Sequence, residues 1–559
     1  MNHDLRFRNF IIFGIIILAA ILRFWRLDSY PALNADEAAI GYNAYSLIQT
    51  GKDEHGNAWP IHFQSFSDYK PGLYFYLVLP FVKVLGLNEW AVRIPGATLG
   101  VLTVLALYFL VKELEIARPE RGRRGNWKLR IIASLFLAIS RWHIHFSRGG
   151  WEVNCATFFI TAGLLFFVKA TKKQRLSNFA FCILNFAFAM YAYHAARIIV
   201  PLLSLGLVII YREQIFKNLK PFIISGAIGI LLLLPLIKDL LGPAGISRAA
   251  GVGLFADPGP LNRINEQRGE HANFSGTGAK LLHNKAVNYG LAFLQNWAAH
   301  FHGEFLFLSG DQIQRNKVPE TGQVYLFEIV TILVGIMAIF RKYSLYAKSF
   351  SLVLWWLIVA PTAAALTFQA PHALRAHNMV IPLTIISAYG LTIIINKISV
   401  IQLKNLRVAG YVLIGVLIFW SLARYEHMYW IHMSKEYPFS SQYGIKELVS
   451  YVRENQNKYD KIVVTDRYDQ PYILFLFYLK YPPKKFQDSH ILTQRDKFGF
   501  STVDNFDEFY FENINFDKVK VDNPKSLIIR TGEEIPEEAN IVKEIYGSNE
   551  HLYFEAVEN

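Results

Sequence analysis

"NFIIFGIIILAAILRFWRL" (residues 9–27) leads into "LNADEAAIGYNAYSLIQTG" (33–51): a membrane-length apolar block, then two adjacent carboxylates, Asp36 and Glu37. An unbroken apolar run of about 18 or more residues reads as a bilayer span. Arg23 and Arg26 follow this run where a signal peptide would carry a small-residue cleavage site, so it reads as a retained first span. Similar blocks recur through the 559 residues, 53% hydrophobic and 15% aromatic, and the chain reads as a polytopic membrane protein. Two cysteines, Cys155 and Cys182, both lie in apolar segments, which excludes a disulfide framework and a thiolate metal site. The net charge of +13 does not point to nucleic acid, because most Lys and Arg sit in short loops between blocks, where they set orientation.

The basic loops are 112–130, 169–175, 211–220, 341–348 and 396–407. With all of them cytoplasmic, spans fall near 9–25, 92–111, 130–146, 154–169, 178–194, 197–211, 221–238, 323–340, 349–367, 378–395 and 408–424. That scheme of eleven holds only if "GLYFYLVLPFVKVLGL" (72–87) does not cross. It is short for a span and carries Pro80 and Lys83, which suits a re-entrant or interfacial helix. The opposite face then collects loop 26–91, "SRWHIHFSRGGWEV" (140–153), "YHAAR" (193–197), the loop 239–322 and "FQAPHALRAHN" (368–378). The Gly- and Pro-rich loop 239–322 suits a mobile lid, and its "GVG" is too short and out of context for a nucleotide loop.

Two domains are expected, a membrane domain over 1–430 and a soluble α/β domain over 431–559. In the latter, Ile445, Leu448, Val449 and Val452 mark a helical stripe. "KIVVTD" (461–466), "SLIIRT" (526–531) and "HLYFEAV" (551–557) read as strands, and "YILFLFYLKY" (472–481) as an apolar helix or strand.

The spacing predicts a helix over 36–50, with Asp36 as N-cap, Ile40, Ala44, Leu47 and Ile48 on one apolar face and Gly51 at the end, lying on the membrane surface. Capping explains Asp36 as readily as catalysis does. Further on, "SDYKPGLYFYL" (67–77) puts Lys70 at the depth of lipid phosphates, either snorkelling to headgroups or clamping a phosphate carried by a lipid.

These residues resemble the first outer loop of the GT-C glycosyltransferases, in the bacterial protein-mannosyltransferase-like and aminoarabinose-transferase-like branch (families 39 and 83). That branch has an acidic pair after span one, a "KPP" or "HPP" motif, and "R-x-P-(S/G)" entering span two. Here they are Asp36-Glu37, Lys70-Pro71-Gly72 and Arg93-Ile94-Pro95-Gly96, with Gly72 in place of the second proline. The resemblance covers roughly residues 10–240, with the later spans looser. It implies a GT-C fold and inverting transfer of a sugar from a polyprenyl-phosphate donor to a protein, lipid or glycan on the non-cytoplasmic face of a bacterial plasma membrane. Asp36 would be base or acceptor-orienting group, Glu37 its support or a help in holding a metal, and Lys70 the donor-phosphate contact.

Arg148 and Glu152 follow in "FSRGGWEVN"; the resemblance makes Glu152 a second carboxylate for acceptor or divalent ion, and an ion pair closing a helix end explains the two equally well. The alternating His143 and His145 resemble a metal pair only superficially. His194 with Arg197, and His372 with Arg375 and His377, place ionisable side chains near spans, where they are costly unless used, and either cluster could cradle a donor phosphate. A divalent metal ion is left open as cofactor. The expected partners are the lipid-linked donor, an unspecified acceptor and the bilayer, with no nucleic acid. A polyprenyl-lipid or glycan transporter or flippase is the competing class, but paired repeats and midplane charges are not evident.

Overall fold

The computed structural model describes residues 2–66, 68–116, 127–242, 245, 253–438, 440, 442–494, 501–522 and 525–559. Residues 117–126 of the first basic loop, Ser67, and residues 246–252, which include the first two of the "GVG", lie outside the described residues. The chain divides into two compact units: Met1–Arg23, Thr98–Ser147 and Glu152–Tyr425 form the first, and Phe24–Ala97, Arg148–Trp151 and Glu426–Asn559 the second. The 430/431 division read from composition is kept as a proposal: composition changes where the chain leaves the apolar blocks, whereas contacts follow packing.

Seven helices among the described residues are long and apolar enough to cross a membrane: Arg6–Phe24, Glu89–Leu114, Glu152–Lys173, Leu219–Leu240, Ala347–Ala365, His377–Ser399 and Lys404–Glu436. Each overlaps one of the eleven expected spans. The other four are shorter helices: Trp127–Ile139, Leu176–Ala192, Ala196–Ile210 and Glu328–Arg341, of 13, 17, 15 and 14 residues. At 1.5 Å per residue they reach about 20–25 Å, less than the hydrocarbon thickness, so the count of eleven stays a proposal. The apolar side chains left uncovered, Phe10, Phe13 and Ile17 on the first helix and Leu413, Phe419 and Trp420 on the last, are those a bilayer would cover. Glu328–Arg341 and Val380–Ser399 cross closely at two glycines: a Cβ on Gly390 would lie 1.8 Å from the Thr331 carbonyl oxygen, and one on Gly335 2.2 Å from that of Ile386.

The first four helices are α1 (Asn2–Phe24, of which only Phe24 falls in the second unit), α2 (Ala35–Thr50), α3 (Leu73–Leu85) and α4 (Glu89–Leu114, of which residues 89–97 fall in the second unit); α2 and α3 lie wholly in the second unit, as does the hairpin β1 (His62–Ser65) and β2 (Asp68–Pro71). α3 is a 13-residue helix, in keeping with a segment too short to span. The α/β portion carries a seven-stranded mixed sheet built from β3 (Lys461–Thr465), β4 (Ile491–Leu492), β5 (Val503–Phe506), β6 (Phe509–Glu512), β7 (Ser526–Arg530), β8 (Asn540–Tyr546) and β9 (Leu552–Glu558). Its order is β4-β5-β6-β3-β7-β9-β8, and β3 lies parallel to both β6 and β7. The three expected strands are β3, β7 and β9, and "YILFLFYLKY" is the helix Pro471–Leu479. Val463, Ile528 and Val557 on the sheet pack against Phe516 and Val519 to make one core. The stripe Ile445, Leu448, Val449 and Val452 is the buried face of helix Ile445–Asn455.

Candidate functional site

The acidic pair opens α2, and the helix start is built differently from the expectation. Asn34, not Asp36, is the N-cap: its side-chain oxygen accepts from the Glu37 N–H at 3.0 Å, and the Glu37 carboxylate accepts in return from the Asn34 N–H at 3.3 Å. This reciprocal box satisfies two N–H groups that a helix start leaves free, and it frees Asp36 from capping. Gly51 ends the helix in the left-handed region at φ 72°. The helix does not lie half-exposed on a surface, since Ala38, Ala39, Ile40, Tyr42, Asn43 and Ala44 are all buried. Within this unit α2 packs against α3 and against helices Pro471–Leu479 and Pro483–Ser489.

Glu37 is 1% exposed and Arg93 0%. The Arg93 guanidinium donates to both Glu37 oxygens at 2.7 Å, and to the carbonyls of Leu27 and Pro31 at 2.9 Å and of Ala32 at 3.2 Å. Glu37 Oε1 also accepts from the Gly150 N–H at 2.9 Å. A Cβ on Gly150 would meet Glu37 Cγ at 3.3 Å and Val92 at 3.1 Å, which accounts for glycine there. A buried bidentate pair with every partner in place is a structural lock.

Asp36 sits one residue earlier, about 100° round the helix, and is 24% exposed. Its partner is Lys70, 12% exposed, whose ammonium donates to Asp36 Oδ1. Lys70 lies on β2 opposite Phe63 on β1. Its Nζ also stands 4.6 Å from the ring centre of Phe66, which occupies the hairpin tip at a positive φ of 57°. The Gly72 substitution in the motif has a reason: its N–H donates to Ile61 O at 2.9 Å, and a Cβ there would sit 2.7 Å from that same oxygen. A proline would remove the donor and bring the clash.

In the loop after α2, Glu54 is buried and His55 half-buried. Burial pushes the Glu54 carboxyl up to about 8, with the charge of Asp53 adding and that of Lys70 opposing. Burial, with the neighbouring His490, pulls His55 down to about 3. Arg148 donates to Tyr429 Oη at 3.0 Å and to the carbonyls of Trp25 at 2.8 Å and Tyr30 at 3.1 Å, while its guanidinium stands 4.8 Å over Trp430. It holds the chain around the α1–α2 connection.

The remaining candidates belong to the first unit. Glu152 opens the helix Glu152–Lys173 and is buried. His194 Nδ1 is 2.9 Å from Arg197 Nη1, and Arg197 also donates to Met190 O at 3.1 Å. His372 Nδ1 lies 3.6 Å from the Asp311 carboxylate, and Arg375 donates to Thr367 Oγ1 at 2.8 Å and Gln369 at 3.3 Å. His143 and His377 stack with ring centres 5.6 Å apart, and Arg23 Nη2 stands 2.8 Å from His143 Nδ1. No group of three or more His, Cys, Asp or Glu among the described residues is arranged to hold a metal ion.

Residues 69–238 match the family described as dolichyl-phosphate-mannose-protein mannosyltransferase. No curated protein matches the sequence. Among solved structures, ArnT from Cupriavidus metallidurans bound to undecaprenyl phosphate aligns over 98% of this chain and 97% of its own, at 10% identity and a TM-score of 0.54. The archaeal oligosaccharyltransferase AglB from Archaeoglobus fulgidus, in complex with an inhibitory peptide and a dolichol-phosphate, aligns over 84% of this chain at 12% identity and a TM-score of 0.52. The alignment spans 64% of the AglB chain.

Proposed function

We propose that this chain, a multi-pass membrane protein with the GT-C glycosyltransferase fold, moves a sugar from a polyprenyl-phosphate donor to an acceptor on the extracytoplasmic face of a bacterial plasma membrane. One observation carries the site assignment: of the two adjacent carboxylates, Glu37 is locked by Arg93 and Gly150, and Asp36 faces an ammonium in a partly open position. Asp36 is the base. Its carboxylate takes the proton of the attacking acceptor group as that group bonds to the anomeric carbon, and the bond from that carbon to the phosphate oxygen breaks on the opposite side. The electron pair leaves with the polyprenyl phosphate, whose growing charge Lys70 stabilises. No covalent enzyme intermediate forms, and the anomeric centre inverts.

Before a donor binds, Lys70 is held by Asp36. A bound phosphate competes for the ammonium, so donor binding and release of the base are one event. The same family likeness that supports a mannosyl- or aminoarabinosyl-type transferase supports a lipid-linked donor; both solved structures above hold a polyprenyl phosphate.

Purified wild type and Asp36→Asn, given a panel of polyprenyl-phosphate sugars and a membrane extract as acceptor source, test the reading. Extract-dependent release of polyprenyl phosphate by wild type, lost in Asp36→Asn, supports it. Release unchanged by the substitution removes Asp36 from the chemistry. Donor carried across vesicle membranes without cleavage would favour a flippase.

A further inference from the structure

The α/β portion that ends the chain needs a role, and its contacts with α2 and the hairpin supply one. The Ala35 N–H, at the first residue of α2, has no carbonyl one turn back to bond. It donates instead to the side-chain oxygen of Gln442, and the Gln442 amide nitrogen donates to Asp469 O in the loop that follows β3. Gln442 is 5% exposed and holds a positive φ of 52°, a conformation that costs a non-glycine residue free energy and persists only where its surroundings fix it. The residue next to this clamp is Asp36.

A second arm of the same portion reaches Lys70. The Tyr472 ring, at the start of helix Pro471–Leu479, packs edge-on against Phe66 with ring centres 6.1 Å apart, and Phe66 carries the Lys70 ammonium on its face. That helix also presses on α2 directly: a Cβ on Gly41 would lie 2.6 Å from Phe477. Tyr42 Oη bonds to Tyr481 O at 3.1 Å, and Gln487 bonds the far end of α2 through Ser46 and Thr50 at 3.1 Å and Asp53 O at 2.7 Å. The base arm and the lysine arm meet each other through one ion pair, and each is backed by a separate residue of the α/β portion.

We propose that the C-terminal α/β portion sets the catalytic geometry: Gln442 is a positioning residue that fixes the first turn of α2, and Tyr472, through Phe66, fixes Lys70. The catalytic consequence rests on the reading of Asp36 and Lys70 given above; the clamp itself does not. Gln442→Met removes both amide bonds at matched length, and Gln442→Gly removes them while relieving the backbone. In each, amide exchange over residues 33–37 should quicken by about tenfold, the loss of one ordinary hydrogen bond. kcat should fall about 10- to 100-fold with donor KM nearly unchanged, as for a misplaced base.

Gln487→Ala is the control. It strips bonds from the other end of α2, so it should lower Tm while leaving kcat within about twofold. The proposal is overturned if exchange over 33–37 is unchanged in Gln442→Met, or if the Gln442 and Gln487 variants lose kcat in the same proportion to their loss of Tm. If wild type cleaves no donor, the transferase reading fails and the exchange experiment still decides the clamp.

Discussion

Asp36→Asn and Glu37→Gln change neighbouring residues by the same chemistry, and the geometry sends them in opposite directions. Glu37 accepts five hydrogen bonds: from Asn34 N and Nδ2, from Arg93 Nε and Nη2, and from Gly150 N. An amide keeps one acceptor oxygen, turns an NH2 group towards donors, and leaves Arg93 buried without its counter-charge. Breaking a buried pair from one side costs about 3–5 kcal/mol, which lowers the Tm of a unit of this size by roughly 6–20 °C. Asp36→Asn weakens a partly solvated pair, at 24% and 12% exposure, and solvent screening holds the cost of that pair to about 1 kcal/mol or less. Its Tm should stay within about 4 °C of wild type. Activity orders the other way: removal of a general base costs about 10²–10⁴ in kcat, whereas Glu37→Gln, assayed at a temperature where it is folded, should lose less. Scanning calorimetry in detergent and polyprenyl-phosphate release give both quantities on the same samples. A Glu37→Gln protein with wild-type Tm and no activity would refute the reasoning and make Glu37 the base.

Lys70→Met should cut kcat/KM for donor by about 10²–10³, the worth of one charged contact to a leaving group, with Tm close to wild type; an unchanged kcat/KM would take Lys70 out of the site. Gly72→Pro, which would restore the doubled proline of the resembling motif, should destabilise by about 1–3 kcal/mol through the lost bond to Ile61 O and the close contact there, read as a fall in Tm. Glu54 is protonated more readily in the folded state, at about 8 against an ordinary 4.5, so its contribution to stability is full below pH 4.5 and declines as pH rises through 8. Glu54→Gln should therefore flatten the fall of Tm between pH 5 and 8 and give the higher Tm of the two at pH 8.

Much of the architecture was legible because bilayer physics writes it in long blocks. Runs such as 9–25, 221–238 and 408–424 have to be apolar over most of their length, and helices emerge over them. β3, β7 and β9 were legible as apolar stretches bounded by polar turns. What sequence reading missed was pairing over distance. Arg93 was visible as part of a motif, but not as the partner of Glu37, 56 residues away. A usable signal was present all the same: an arginine in the first turns of an apolar block must find an acid, and a Gly-Gly pair before Trp151 invites another backbone or side chain to approach. The cap was misplaced by two residues for a similar reason. Asn34 and Asp36 both suit an N-cap, and only Asn34 has Glu37 three residues on to close a box.

That two-residue difference is what separates the acid pair into two environments. Had Asp36 capped the helix, its carboxylate would be turned back onto backbone N–H groups and Glu37 would begin the first turn. With Asn34 as cap, Glu37 falls at the third helical position, where the box holds it inward toward Arg93. Asp36, about 100° away at the second position, is turned out of that lock and meets Lys70. Asn34→Ala therefore tests the whole arrangement. It should cost about 1 kcal/mol as a lost cap. It also frees one of the Glu37 contacts, so exchange at the first turn of α2 should quicken and kcat fall more than that small stability loss explains. If kcat instead follows stability alone, the box is a helix cap and nothing more.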